Sequence, residues 1–89
     1  MGFLGMDVVA IRHLSRQLST QADEVRAAAN ELNSLILNTE WFGADQAAFV
    51  SDWETSSRPT LLRASNLLRE ASQIAQQGAQ DQERVSRGG

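Results

Sequence analysis

Residues 40–54, EWFGADQAAFVSDWE, hold both tryptophans and two of the three phenylalanines of the chain, together with a glycine, at its midpoint. On either side the sequence is rich in Ala, Leu, Gln and Arg. Gly43 can take the positive φ that a chain reversal demands, and Asp45 can cap a helix that starts there. Phe49 and Trp53 stand four residues apart, on one face of that helix. The stretch predicts a tight turn plugged by Trp41 and Phe42, with the aromatics of the next helix closing the corner.

Working outward toward the N-terminus, apolar residues fall at Ile11, Leu14, Leu18, Val25, Ala28, Leu32 and Leu35. The alternation of three and four predicts a helix over about residues 7–38, with Asp7 as its N-cap. Toward the C-terminus the repeat runs through Ala48, Phe49, Trp53, Ala64, Leu67, Leu68, Ala71, Ile74 and Ala75. A second helix is predicted over about 45–77, kinked near Pro59, because proline removes a backbone donor and clashes with the preceding turn. Residues 78–89 are polar and Gly-terminated and are expected to form a flexible tail. With residues 39–44 as the turn, the connection is so short that the helices must lie antiparallel, giving an all-α helix-turn-helix hairpin in a single domain.

An 89-residue chain buries little surface, and this one has no Cys for a disulfide or thiolate metal site. Its single His, with scattered carboxylates, does not make a zinc site, so no cofactor or metal is expected. Oligomerisation is the remaining source of stability. The side chains expected to pack the hairpin and a dimer are Ile11, Leu14, Leu18, Val25, Leu32, Leu35, Phe49, Trp53, Leu67, Leu68 and Ile74. A net charge of −3, with all 8 basic residues Arg, offers no basic field for nucleic acid. No apolar run is long enough to insert in a membrane, and Met1 to Met6 lack the features of a cleavable signal peptide.

Trp41-Phe42-Gly43 in a short turn midway along the chain, followed by Ala48, Phe49 and Trp53, resembles the WXG family of ESAT-like proteins, the small substrates of type VII secretion in actinobacteria and Firmicutes. The resemblance spans about Asp7 to Ile74. It implies a hairpin that pairs with its own copy or a similar WXG-type protein into a four-helix bundle. Such dimers fold in the cytoplasm and leave by a route that reads no signal peptide, to the medium or the cell surface. The family's export signal, a Tyr followed four positions later by an acidic residue beyond the second helix, is missing: the chain has no Tyr, and Ala79 with Glu83 is the nearest spacing. The resemblance therefore implies that a partner's tail meets the secretion ATPase. An intracellular dimerisation adaptor and the N-terminal targeting domain of a larger toxin are the alternative readings.

No enzymatic activity is expected. Ser15 and Ser19 lie near His13, but residues two apart point to different helix faces, so no nucleophile and base converge. Asp23, Glu24 and Glu31, or Asp52 with Glu54, read as a charged outer face, and GFLG at residues 2–5 lacks the Lys and glycine spacing of a phosphate loop.

Overall fold

The structure, a computed structural model, describes the backbone of residues 2–41 and 43–88 and the side chains of residues 8–41 and 43–85. Helix α1 spans Gly2–Asn38, helix α2 Asp45–Asp52, a π-helical turn Trp53–Ser57, and helix α3 Arg58–Gly88. No strand occurs among the described residues. The chain doubles back once, and α1 lies along α3 in a rod of 68 × 17 × 14 Å. This is the antiparallel hairpin that the short connection requires.

The seam between α1 and α3 is built from small residues. Val8, Ser15, Ala22 and Ala29 of α1 are buried at seven-residue intervals, as are Ser65, Ser72 and Ala79 of α3. Side chains this short let two backbones approach, so a hydroxyl on one helix reaches the main chain of the other. Ser15 Oγ donates to the Ser72 carbonyl at 2.9 Å, and Ser72 Oγ donates back to the Ser15 carbonyl at 2.7 Å. Ser65 Oγ donates to the Ala22 carbonyl at 2.7 Å. Each buried hydroxyl thus has a partner, which its burial demands. The three contacts also set the register, with Ser15 opposite Ser72 and Ala22 opposite Ser65.

The second helical arm stays helical through Pro59, but the turn just before it, Trp53–Ser57, is π rather than α. Seven residues before Leu61 is Glu54, yet the aromatic stands one position earlier, at Trp53. The apolar patterns of α2 and α3 are therefore one residue out of phase. The π turn takes up the extra residue: the Arg58 N–H bonds to the Trp53 carbonyl, five residues back. Pro59 has no N–H to donate and would crowd the carbonyl four residues before it in a regular α-helix, so the widened turn also relieves the proline.

Both outer helix ends differ from the expected ones. Helix α1 starts at Gly2 rather than at Asp7, and α3 continues to Gly88 instead of ending near Gln77. The α3 extension lies along the start of α1: Ala79 is buried where the register sets it opposite buried Val8, at the open end of the seam, and Glu83 pairs with Arg12 at 2.8 Å. Polar composition alone hid this, because the seam needs only one small residue in seven. Truncation after Gln77 is accordingly expected to remove more helical circular dichroism than the deleted residues account for, as the first turns of α1 lose their cover. A loss matching only the missing residues would show that the ends are independent.

Candidate functional site

At the turn, α1 ends with no basic residue in its last turn, and Thr39 Oγ1 donates to the Leu35 carbonyl. Gly43 carries the chain round at φ +80°, a conformation that side chains with a Cβ rarely adopt. Nothing lies within 4 Å of where a Cβ would stand, so conformation rather than crowding selects glycine. Gly43→Val should cost on the order of 1–2 kcal/mol in a denaturant titration. A variant as stable as the parent would mean that the turn finds another path.

Helix α2 begins at Asp45, which is its first residue and not its cap; Ala44 stands at the cap position and makes no side-chain hydrogen bond there. The Asp45 carboxylate instead complements the positive end of the helix dipole. The Trp41 indole N–H reaches back to the Ile36 carbonyl at 3.0 Å, covering one of the acceptors that the end of α1 leaves open. Its ring lies against Phe49 with centroids 5.0 Å apart and planes tilted by 34°. Trp53 is buried at 6 % exposure, and its indole donates to Asn33 Oδ1 on α1 at 3.0 Å. Trp41 and Gly43 stand in the turn as expected, while Phe42 lies outside the described residues. Phe49 closes over one side only and remains 49 % exposed.

The large aliphatic side chains assigned to packing do not form the seam. Leu14, Leu32, Leu35, Leu67 and Ile74 are exposed, while Ile11, Leu18, Val25 and Leu68 are half-buried. Their positions follow from the seam. Counting from each buried residue of α1, Ile11, Leu18, Val25 and Leu32 stand three positions on, and Leu14 and Leu35 six. At 3.6 residues per turn these offsets point about 60° and about 120° to one side of the partner helix. On α3, Leu61 and Leu68 stand three positions after Arg58 and Ser65, about 60° round, while Leu67 and Ile74 stand two after Ser65 and Ser72, about 160° round on the same rotational side, at the outer margin of that flank. Reversing a helix also reverses the sense in which its residues wind when viewed from one end. Equal offsets on the antiparallel helices therefore fall on a common flank.

The opposite flank is polar and stitched. Arg12 pairs with Glu83, Arg69 pairs with Asp23, and Arg26 donates to Asn66 Oδ1 at 3.1 Å. All six residues stand one or four positions after a seam residue, on the other rotational side. Exposed pairs of this kind contribute about 0–1 kcal/mol each, so they steer the register more than they hold the hairpin. An open cleft of about 130 Å³ on this flank is lined by Arg12, Ser15, Arg16 and Gln76.

The geometry brings together none of the groups weighed for catalysis. Ser15 is turned into the seam and bonded to Ser72, whereas His13 is exposed on the outer side. Asp23 is held by Arg69, and Glu54 lies 3.7 Å from Arg58. Among the described residues no three His, Cys, Asp or Glu side chains gather as a metal site, and no helix is long and apolar enough to cross a membrane. The residues missed in the sequence are the seam serines and alanines, whose seven-residue spacing was present but overshadowed by the leucines.

Comparison with family models, with curated proteins and with solved structures gives no match. Fold and surface define the chain as an all-α helical hairpin with one polar and one apolar flank.

Proposed function

We propose that this hairpin is a non-enzymatic dimerisation module of the type VII secretion kind, exported as a substrate or as the co-secreted partner of a similar protein. The observation that carries the dimer is the apolar flank: Leu35, Leu67 and Ile74 are 57 %, 65 % and 68 % exposed on a chain whose own seam is filled by Ser and Ala. Contiguous apolar surfaces above a few hundred Å² mark interaction sites. Two such flanks placed face to face give four parallel or antiparallel helices around a core of leucines, the usual arrangement of a four-helix bundle.

The export part of the proposal rests on the resemblance of the Trp41-Phe42-Gly43 turn, supported by the positive φ of Gly43 and the anchored Trp41 indole. With no Tyr in the chain, the address read by the secretion ATPase belongs to a similar partner, which favours a heterodimer at export over the homodimer. The route is folding in the cytoplasm followed by delivery to the medium or cell surface. An intracellular adaptor, or a targeting domain attached to a toxin, would use the same dimer face and is separated by where the protein ends up.

Sedimentation equilibrium of the chain, alone and mixed with the product of a neighbouring similar gene, tests the dimer. The double substitution Leu67→Glu with Ile74→Glu should raise the dimer dissociation constant by about a hundredfold or more, because each carboxylate would be buried without a partner. Unchanged association would show that another surface pairs. Export is tested by following the tagged protein into the culture medium in cells with and without an active secretion ATPase; retention in both supports the adaptor.

A further inference from the structure

Beyond the dimer flank, the turn end carries a second exposed apolar surface with a charge of its own. Leu37 is 57 % exposed in the last turn of α1, where the Trp41 indole is anchored on the neighbouring Ile36 carbonyl, and the half-exposed Phe49 ring lies against Trp41. Every charged residue between Arg26 and Arg58 is a carboxylate: Glu31, Glu40, Asp45, Asp52 and Glu54. All five are exposed, and only Glu54 has a cation within 4 Å among the described residues. The C-terminal end of α1 adds its negative dipole here, with no basic residue in its last turn to offset it.

We propose that this end of the hairpin docks a cationic amphipathic helix of another protein. The apolar face of that helix would cover Leu37, Trp41 and Phe49, and its Lys and Arg side chains would meet Glu40, Asp45 and Asp52. Charge complementarity selects this occupant: an acidic or neutral helix would bring nothing to carboxylates whose mutual repulsion a cation relieves. The opposite end of a second copy is the competing occupant. It presents exposed Val9 and Val85, but its described charges are mixed, with Asp81 and Glu83 among Arg12, Arg16 and Arg84, whereas a helix bearing only cations answers every carboxylate of the turn end. The proposal does not depend on export, and its surface is distinct from the leucine flank that is proposed to form the dimer.

The test uses the full chain at a concentration where its oligomeric state has been measured. Isotope-labelled protein is titrated with a designed amphipathic peptide of about five helical turns, Leu on one face and Arg on the other, and with its twin bearing Glu in place of Arg. The expected result is amide shifts confined to residues 31–54, affinity for the Arg peptide about tenfold or more above that for the Glu peptide, and weakening as salt rises. Glu40→Lys with Asp52→Lys, both at exposed positions, should abolish the preference, while Glu24→Lys with Glu70→Lys should leave it. Equal binding of the two peptides, no binding of either, or shifts centred on Leu67 and Ile74 would overturn the proposal. Assemblies larger than a dimer that disappear in Glu40→Lys with Asp52→Lys would overturn it in favour of end-to-end contact between copies. Loss of dimerisation in Leu67→Glu with Ile74→Glu, with peptide binding retained, separates this surface from the dimer face.

Discussion

Trp53→Ala is expected to destabilise the fold by about 3–5 kcal/mol, the range for removing a large buried side chain. Trp53 is the one aromatic residue of the described chain that is buried, and it sits where α2 meets the π turn. Its indole both fills the space beside α1 and donates to Asn33, so truncation leaves a cavity and frees an acceptor that is only part-exposed. Trp53→Phe separates the two contributions. Keeping most of the ring but losing the N–H should cost nearer 1 kcal/mol for the hydrogen bond, plus the missing bulk. Thermal and denaturant unfolding followed by circular dichroism would measure both variants. A midpoint for Trp53→Ala within error of the parent would mean that the π turn is not packed against α1.

Ala22→Leu should be comparably damaging for the opposite reason. Ala22 has no exposed surface, and its own carbonyl accepts the Ser65 hydroxyl from the facing helix at 2.7 Å. A side chain on one helix therefore reaches the main chain of the other, and there is no room for the added carbons of leucine. Overpacking costs about 1–3 kcal/mol by itself. Forcing the helices apart would also unpair Ser65, and each buried hydroxyl left without a partner adds about 1–3 kcal/mol. Ala27→Leu, on an exposed position of the same helix, is the control and should be close to neutral. Equal unfolding midpoints for the two variants would show that the seam is looser than its hydroxyl bonds require.

The hairpin was legible because two kinds of signal agreed. The three-four spacing of Leu and Ile marked helices on both sides of Gly43, and the brief connection left only an antiparallel arrangement. What was not legible was which face meets which. Large aliphatic residues dominate any periodic pattern, so Leu14, Leu35, Leu67 and Ile74 drew the seam toward themselves. The helices in fact meet through Ser15, Ala22, Ser65 and Ser72, where close backbone approach and hydroxyl–carbonyl bonds matter more than side-chain volume. The same bias ended α3 too early, since Ala79 and the Arg12–Glu83 pair are weak signals in a polar segment. The proline was noticed, but its consequence depended on counting from Trp53 to Leu61 and finding one residue too many.

That surplus residue bears on how the chain can vary in length. Burial of Trp53 holds one end of the segment in phase and the seam from Ser65 onward holds the other, so the count between them is free to change by one. A shorter chain, lacking one residue among 54–57 and with Pro59 exchanged for a good helix former, would run as uninterrupted α-helix and present the same two flanks. A further insertion would have no turn left to absorb it, and would rotate the aromatic end by about 100° relative to α3. Alignments across this point should therefore tolerate a one-residue gap without any change in the surface on either side.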